Sequence, residues 1–344
     1  MLVALTLTAN GVQIISGNTR ASKSNPLFLS AGLFLAVSIC AIALLPRTHA
    51  GLSGLIFLAV ISGCGIAITH PESLRAIHAL SRIPSAISTS IFMTGGFLGF
   101  ASAGAISTVL VSRFGLRGLY ILVLCPVVGV VALKLLRIRL AVESEDTIDL
   151  RTARARRALP FWSVMVMAQP AAIGITVLAT LLPTLLNELG FELTFGGYSS
   201  TMYAGGAAAG AFIWGTMGHK KGELPCCITA FLLTTPFLVA YILLAENRWA
   251  IWLLFGAGSC SIPAYVLIVT LARSAAGLNL GLRMGLVVGG TWGFANIVFM
   301  ALAPVAERFG TGLVIKISLL GFPISAVFGI LLAIKYKPLP LRKQ

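Results

Sequence analysis

Residues 95–101 read Gly-Gly-Phe-Leu-Gly-Phe-Ala, and residues 289–295 read Gly-Gly-Thr-Trp-Gly-Phe-Ala. Five of the seven positions coincide. Further along, Arg113-Phe114-Gly115 returns as Arg308-Phe309-Gly310. The offsets are 194 and 195 residues, so the two matches are in phase. In a chain with 36 Gly a single glycine coincidence carries little weight. Two in register, the second a loop tripeptide, mark a parallel internal repeat. Repeats of this length build several transporter folds, with the solute site where the halves meet.

Composition agrees. The chain has 344 residues, of which 58% are hydrophobic and 10% charged, and its mean hydropathy is +0.97. A soluble domain carries about 25% charged residues, and the polar residues here are too few to cover a globule in water. This excludes a cytosolic enzyme, a secreted disulfide domain and a disordered tail. The net charge of +15 is spread over short loops and forms no single basic face with interleaved aromatics, so nucleic acid is not a partner. The partners expected are the lipid bilayer and a small-molecule solute, and the chain reads as a monomer. The six cysteines form no C-x-x-C pair and read as small core residues. No metal, cofactor or enzyme constellation emerges: the four histidines are scattered, with no H-E-x-x-H spacing and no Walker loop.

A spanning helix needs about 20 apolar residues. Eleven segments are candidates, the first of them short: near 2–16, 26–46, 51–69, 85–112, 117–137, 160–186, 197–218, 224–244, 249–272, 283–306 and 310–335. This predicts an all-α membrane protein made of two bundles. The division is an N-terminal bundle (1–139), a charged linker (140–159) and a C-terminal six-helix bundle (160–344). With the linker and C-terminus cytoplasmic, 19 Lys and Arg fall on the cytoplasmic side and five on the outer side. Trp162, Trp249, Trp252 and Tyr336 sit where interfacial anchors belong. Under the repeat offset the helix at 160–186 has no mate. The expectation is therefore twelve helices with the first absent, against the alternative of a true eleven-helix protein.

The second half carries Gly215-Thr-Met-Gly-His219-Lys220-Lys221-Gly222-Glu223, and the first half Thr19-Arg20-Ala-Ser22-Lys23. Both lie in predicted cytoplasmic loops and resemble the Gly-x-x-x-Asp-Arg-x-Gly-Arg signature of the major facilitator superfamily. Gly215 and Gly222 hold the glycine positions, Lys220 replaces Arg and His219 replaces the acid. The resemblance implies a two-bundle fold and secondary active transport by alternating access. Its loop acids, which gate the inner mouth in that family, are absent here. Gly63 to Ser73, with His70-Pro71-Glu72, and Ser90 to Gly99 resemble the fosmidomycin-resistance-type exporters of that superfamily. That resemblance implies efflux of a small organic solute or drug across a bacterial inner membrane. Proton coupling is one option, because first helices of such exporters often carry His and Asp. The alternative is a truncated, non-transporting protein: a remnant, sensor or partner-binding relative.

Three groups of residues are the site candidates. Polar residues within apolar helices need a partner or water, so Gln169, Thr176, Thr180, Thr94, Tyr265, Trp292 and Asn296 are candidates for a substrate path. Gln169, Thr176 and Thr180 are seven and four residues apart and share one helix face. His70, Pro71 and Glu72, with Arg20, Lys23, Gly215, His219, Lys220 and Gly222, are gating candidates in the cytoplasmic loops, Pro71 being expected to break its helix. Gly95, Gly99, Gly289 and Gly293 form G-x-x-x-G pairs and are expected to let helices pack closely.

Overall fold

The computed structural model describes residues 5–12, 24–46, 48–78, 85–140, 159–278 and 280–336. Among these residues the chain is helical and has no strands. Helix α1 covers 5–12, α2 Leu27–Ala36, α3 His49–His78, α4 Ser85–Phe114 and α5 Leu124–Leu135. Then come α6 (Phe161–Glu188), α7 (Leu193–Lys221), α8 (Glu223–Leu243) and α9 (Ile251–Ser274). The last are α10 (Leu280–Gly285), α11 (Thr291–Phe309), α12 (Thr311–Ser318) and α13 (Gly321–Tyr336). Tighter 3-10 turns continue α2 over Val37–Leu44 and join α4 to α5 over Gly115–Val123. A π turn, Leu286–Gly290, joins α10 to α11. It contains Gly289 and Gly290, whose missing side chains ease a widened turn.

Among the described residues, eight helical stretches are long and apolar enough to cross a membrane. One of them, Ile91–Leu135, is 45 residues long and holds two of the predicted spans. Helix α7 is not among the eight, because glycine, serine, threonine and tyrosine lower its mean hydropathy. Its 29 residues rise about 43 Å at 1.5 Å each, which suffices to cross. Large apolar side chains stand exposed along the helices, such as Leu243 (78%), Leu135 (77%) and Leu331 (55%). Facing water this surface would be costly; facing acyl chains it is not.

The chain divides into two compact units. The first comprises 1–92, 102–145 and 279–298; the second comprises 93–101, 146–278 and 299–344. The division cuts α4, which carries the first glycine motif, and α11, which carries the second motif from Thr291 onward. In the first unit α2 packs on α3, and α5 packs on α2. Ser62 Oγ donates to Ala36 O at 2.6 Å across the α2–α3 contact, and Gly65 leaves no room there: an added Cβ would sit 2.1 Å from Ala36 N.

In the second unit α9 packs on both α7 and α8, and α13 packs on α6 and α8. Pro170 and Pro183 lie inside α6. A proline removes one backbone bond and pushes back the preceding turn. The Ala171 N–H is taken up by Ser325 Oγ of α13 at 3.0 Å, and both residues are buried. Gly321 lets α13 approach this point, since an added Cβ would meet Pro170 O at 2.0 Å. Neighbouring hydroxyls commonly accept the backbone groups that proline frees in spanning helices.

One end of the second unit is basic. The start of α6 is tied to the end of α9, where Phe161 N donates to Ala276 O at 3.0 Å and Ala276 N to Leu159 O at 2.8 Å. The last turns of α7, α9 and α13 carry Lys220 and Lys221, Arg273, and Lys335. At the opposite helix ends stand Glu188, Glu192, Glu246 and Glu307, with Arg248 and Arg308. Thr311 Oγ1 donates to Glu188 Oε2 there.

Candidate functional site

The polar side chains within the spans fall into three clusters. The first lies on α6. Thr176 is buried and Gln169 and Thr180 are half-buried, on the shared face that their spacing demands. Gln169 and Tyr265 each engage in further contacts within the fold.

The second cluster follows the α7–α9 seam. Added Cβ atoms at Gly206, Gly210 and Gly258 would lie 2.0, 1.9 and 1.9 Å from Phe255 O, Ser259 O and Tyr203 O. The two backbones therefore touch. Where they touch, side chains bond across. Tyr203 OH and Ser261 Oγ lie 2.8 Å apart, both buried, and Trp214 Nε1 donates to Ser259 O at 2.9 Å. On the same helix Thr201 Oγ1 donates to Ala101 O at 2.9 Å. The Ser199 and Thr94 hydroxyls are buried and have no hydrogen-bond partner among the described residues.

The third cluster belongs to the first unit. Asn296 Nδ2 donates to Trp292 O at 2.8 Å, and Asn296 Oδ1 accepts from Thr6 Oγ1 at 3.3 Å. A side-chain amide offers two N–H groups and two lone pairs. These contacts use half of that capacity. An added Cβ on Gly293 would meet Asn10 Cβ at 3.6 Å, an ordinary contact.

Several expectations are corrected. Helix α3 runs through Pro71 to His78, so His70, Pro71 and Glu72 are helical and not a loop. Pro71 is tolerated because its ring needs only one backbone bond to yield. Glu72 is 4% exposed; Oε1 accepts from Arg75 Nη1 at 2.9 Å, and Oε2 is buried with no partner among the described residues. His70 lies on the exposed side of the helix. Gly215, His219 and Lys220 are likewise inside a helix, α7. The whole loop there is Gly222, whose φ of 94° reverses the chain between α7 and α8 in a conformation that favours glycine. Arg20 and Lys23 lie outside the described residues. Among the described residues, an added Cβ at Gly95 or Gly99 meets nothing within 4 Å. Gly289 is buried in the π turn.

Sequence reading overlooked Ser199, Ser261, Ser325 and Trp214. Mid-span serines were the available signal: a hydroxyl is small enough to hide among Ala and Gly, yet in hydrocarbon it still needs an acceptor.

These clusters offer hydroxyl, amide and indole groups. Among the described residues no group of three or more His, Cys, Asp or Glu could hold a metal ion. The chemistry available is hydrogen bonding and aromatic contact.

The sequence profile of the Major Facilitator Superfamily matches residues 2–299. The chain belongs to that superfamily. As a facilitator it is similar in structure to the fucose:proton symporter FucP of E. coli, in a single-residue variant. The TM-score is 0.64 at 14% identity, covering 96% of this chain and 90% of that one. It is also similar to a bacterial homologue of the iron transporter ferroportin in an outward-facing state. There the TM-score is 0.63 at 13% identity, with 96% and 88% covered. FucP in its outward conformation gives 0.62 at 15% identity, with 96% and 89% covered. At such identities the likeness is one of fold. No curated protein sequence matches this facilitator.

Proposed function

We propose that this facilitator is a secondary active exporter of a small, uncharged organic solute, working by alternating access. One observation carries the solute class: the path candidates Gln169, Thr176, Thr180, Thr94, Tyr265, Trp292 and Asn296 are hydroxyls, amides and aromatics, with no carboxylate or base among them. Such groups recognise a neutral solute by hydrogen bonds and stacking, whereas a fixed charge in the path would call for a counter-charge. The buried hydroxyls of Thr94 and Ser199, which have no hydrogen-bond partner among the described residues, support the reading, because a hydroxyl in that setting gains most from a solute that supplies an acceptor. Export is supported by the resemblance of residues 60–120 to drug exporters. In this reading the bundles are 1–139 and 160–344, joined by the linker 140–159. The C-terminus is cytoplasmic in a bacterial inner membrane, which the basic end of the second unit supports. The chain works as a monomer without a cofactor, and a proton gradient drives it.

The test is efflux of Nile red, an uncharged aromatic dye, from proteoliposomes with an imposed pH gradient. Gradient-dependent flux is expected, falling about fivefold in Asn296→Leu and about threefold in Thr176→Val, each being the loss of about one hydrogen bond. Flux equal to protein-free vesicles, for Nile red and for a panel of uncharged drugs, overturns the reading in favour of a non-transporting protein.

A further inference from the structure

Among the described residues Glu72 is the one Asp or Glu that is buried, and the solute path does not use it. It stands in the span Gly51–Ile77, five residues before its end, about 8 Å along the axis. Its Oε1 accepts from Arg75 Nη1 at 2.9 Å, and the Glu72 side chain is 5% exposed against 19% for Arg75. Oε2 is buried and has no hydrogen-bond partner among the described residues. On a wet helix face a pair of this spacing would be an ordinary ion pair worth little. Here the acid is enclosed and the base reaches out.

A carboxylate held permanently ionised in such a place is expected to have both oxygens met, because an unmet charge in a medium of low dielectric is costly. One oxygen of Glu72 is met. Within one turn on α3 the other ionisable residue is His70, which is two positions away and points to another side of the helix. The elements that pack on α3 are α2, its 3-10 continuation Val37–Leu44 and, at Gly63, α1. Among the described residues these carry no Asp, Glu, His, Lys or Arg. Their one titratable group is Cys40, beside the other half of α3, where Ser38 Oγ donates to Leu58 O at 3.5 Å.

We propose that Glu72 is a proton-binding site, with Arg75 as the counter-charge that it holds when ionised and lets go when protonated. A hydronium ion of the aqueous phase gives up its proton, an O–H bond forms at Oε2, and the Arg75 hydrogen bond to Oε1 is broken. Ionised, Glu72 keeps that bond and leaves Oε2 bare. Protonated, it is neutral and suits its enclosure. Arg75 engages in a further contact within the fold and is part-exposed, so its charge keeps a setting when Glu72 lets go. Neither form satisfies every group, which is the condition for a proton to come and go. As the point where a proton gradient acts, the site rests on the proton-driven reading of transport; as a proton site it does not.

The test is infrared difference spectroscopy of the full chain in lipid vesicles, from about pH 8 to about pH 4, the range in which protein carboxylates titrate. Acidification is expected to bring up the carbonyl stretch of an un-ionised, enclosed acid, at higher frequency than that of solvated acids. Glu72→Gln should lose that band. In Arg75→Gln the band should persist to higher pH by about one unit or more, because the guanidinium that favours the carboxylate is gone. Spectra of the chain and of Glu72→Gln that coincide across the range overturn the proposal. So does a band that Arg75→Gln leaves where it was, and this arm decides alone if Glu72→Gln fails to fold. In the same vesicles, the stimulation of Nile red efflux by a pH gradient should be lost in Glu72→Gln; stimulation unchanged there overturns the role in coupling. A Glu72 band in a chain that moves no dye counts against the exporter reading alone and leaves the proton site standing.

Discussion

Two pairs of glycines in the second unit share one spacing and live in opposite surroundings. Gly206 and Gly210 of α7 are four residues apart, and each is pressed against a carbonyl of α9. Gly95 and Gly99 of α4 are four apart too, and an added Cβ on either would meet nothing within 4 Å. The first pair brings two backbones into contact and lets Tyr203, Ser261 and Trp214 bond across. Among the described residues the second pair meets no neighbouring helix. The lesson is that G-x-x-x-G creates the opportunity for close packing, and a neighbour at the right azimuth decides whether it is taken.

The comparison breaks most sharply at Gly210. Gly210→Val places a branched side chain where Ser259 O already sits, so α7 and α9 must part. The expected cost is about 3 kcal/mol or more, read as a drop in melting temperature of about 10 °C in detergent. Gly95→Val should move the melting point by less than about 2 °C, because a helix-propensity change of under 1 kcal/mol is the only term. Equal losses at the two sites would mean that α4 is tightly packed after all.

A smaller effect sharpens the same contrast at the α6–α13 contact. Gly321 brings α13 against Pro170, and Ser325 there accepts the Ala171 N–H. Ser325→Ala leaves that buried donor without its acceptor and should cost about 1–2 kcal/mol. Faster amide exchange at Ala171 in Ser325→Ala, with the remainder of α6 unchanged, is the expected signature. Unchanged protection at Ala171 would remove Ser325 from this role.

Least costly is Tyr203→Phe. It removes the partner of Ser261 yet keeps the ring that fills the seam, so a loss of about 1 kcal/mol is expected. Adding Ser261→Ala should recover part of it, since no orphan hydroxyl then remains. Strictly additive losses in the double variant would show that the two hydroxyls do not act as a pair.

Much of the fold was legible in the residues. The predicted span 160–186 is α6, Phe161–Glu188; 224–244 is α8, Glu223–Leu243; 249–272 is matched by α9, Ile251–Ser274. Hydropathy gives this because burial in hydrocarbon is a property each residue carries with it. The candidate site was less legible. Gln169, Thr176 and Thr180 stand on one face of α6 because helical geometry is local. That Asn296 meets Thr6, 290 residues away, is not written in any spacing. Pro71 was expected to end its helix, yet α3 continues, since a proline removes one bond among many.

The sequence alone determined that this protein lives in a membrane, how its spans are ordered, and that its halves are related by a repeat. It did so through solvent preference, helical rise and charge asymmetry, which act residue by residue. Only the tertiary structure decided which glycines carry contact, which serine receives the N–H beside Pro170, and which carboxylate is buried. Those outcomes depend on the rotation of each helix about its axis and on neighbours far away in the chain. Packing between helices sets both, and hydropathy does not record either.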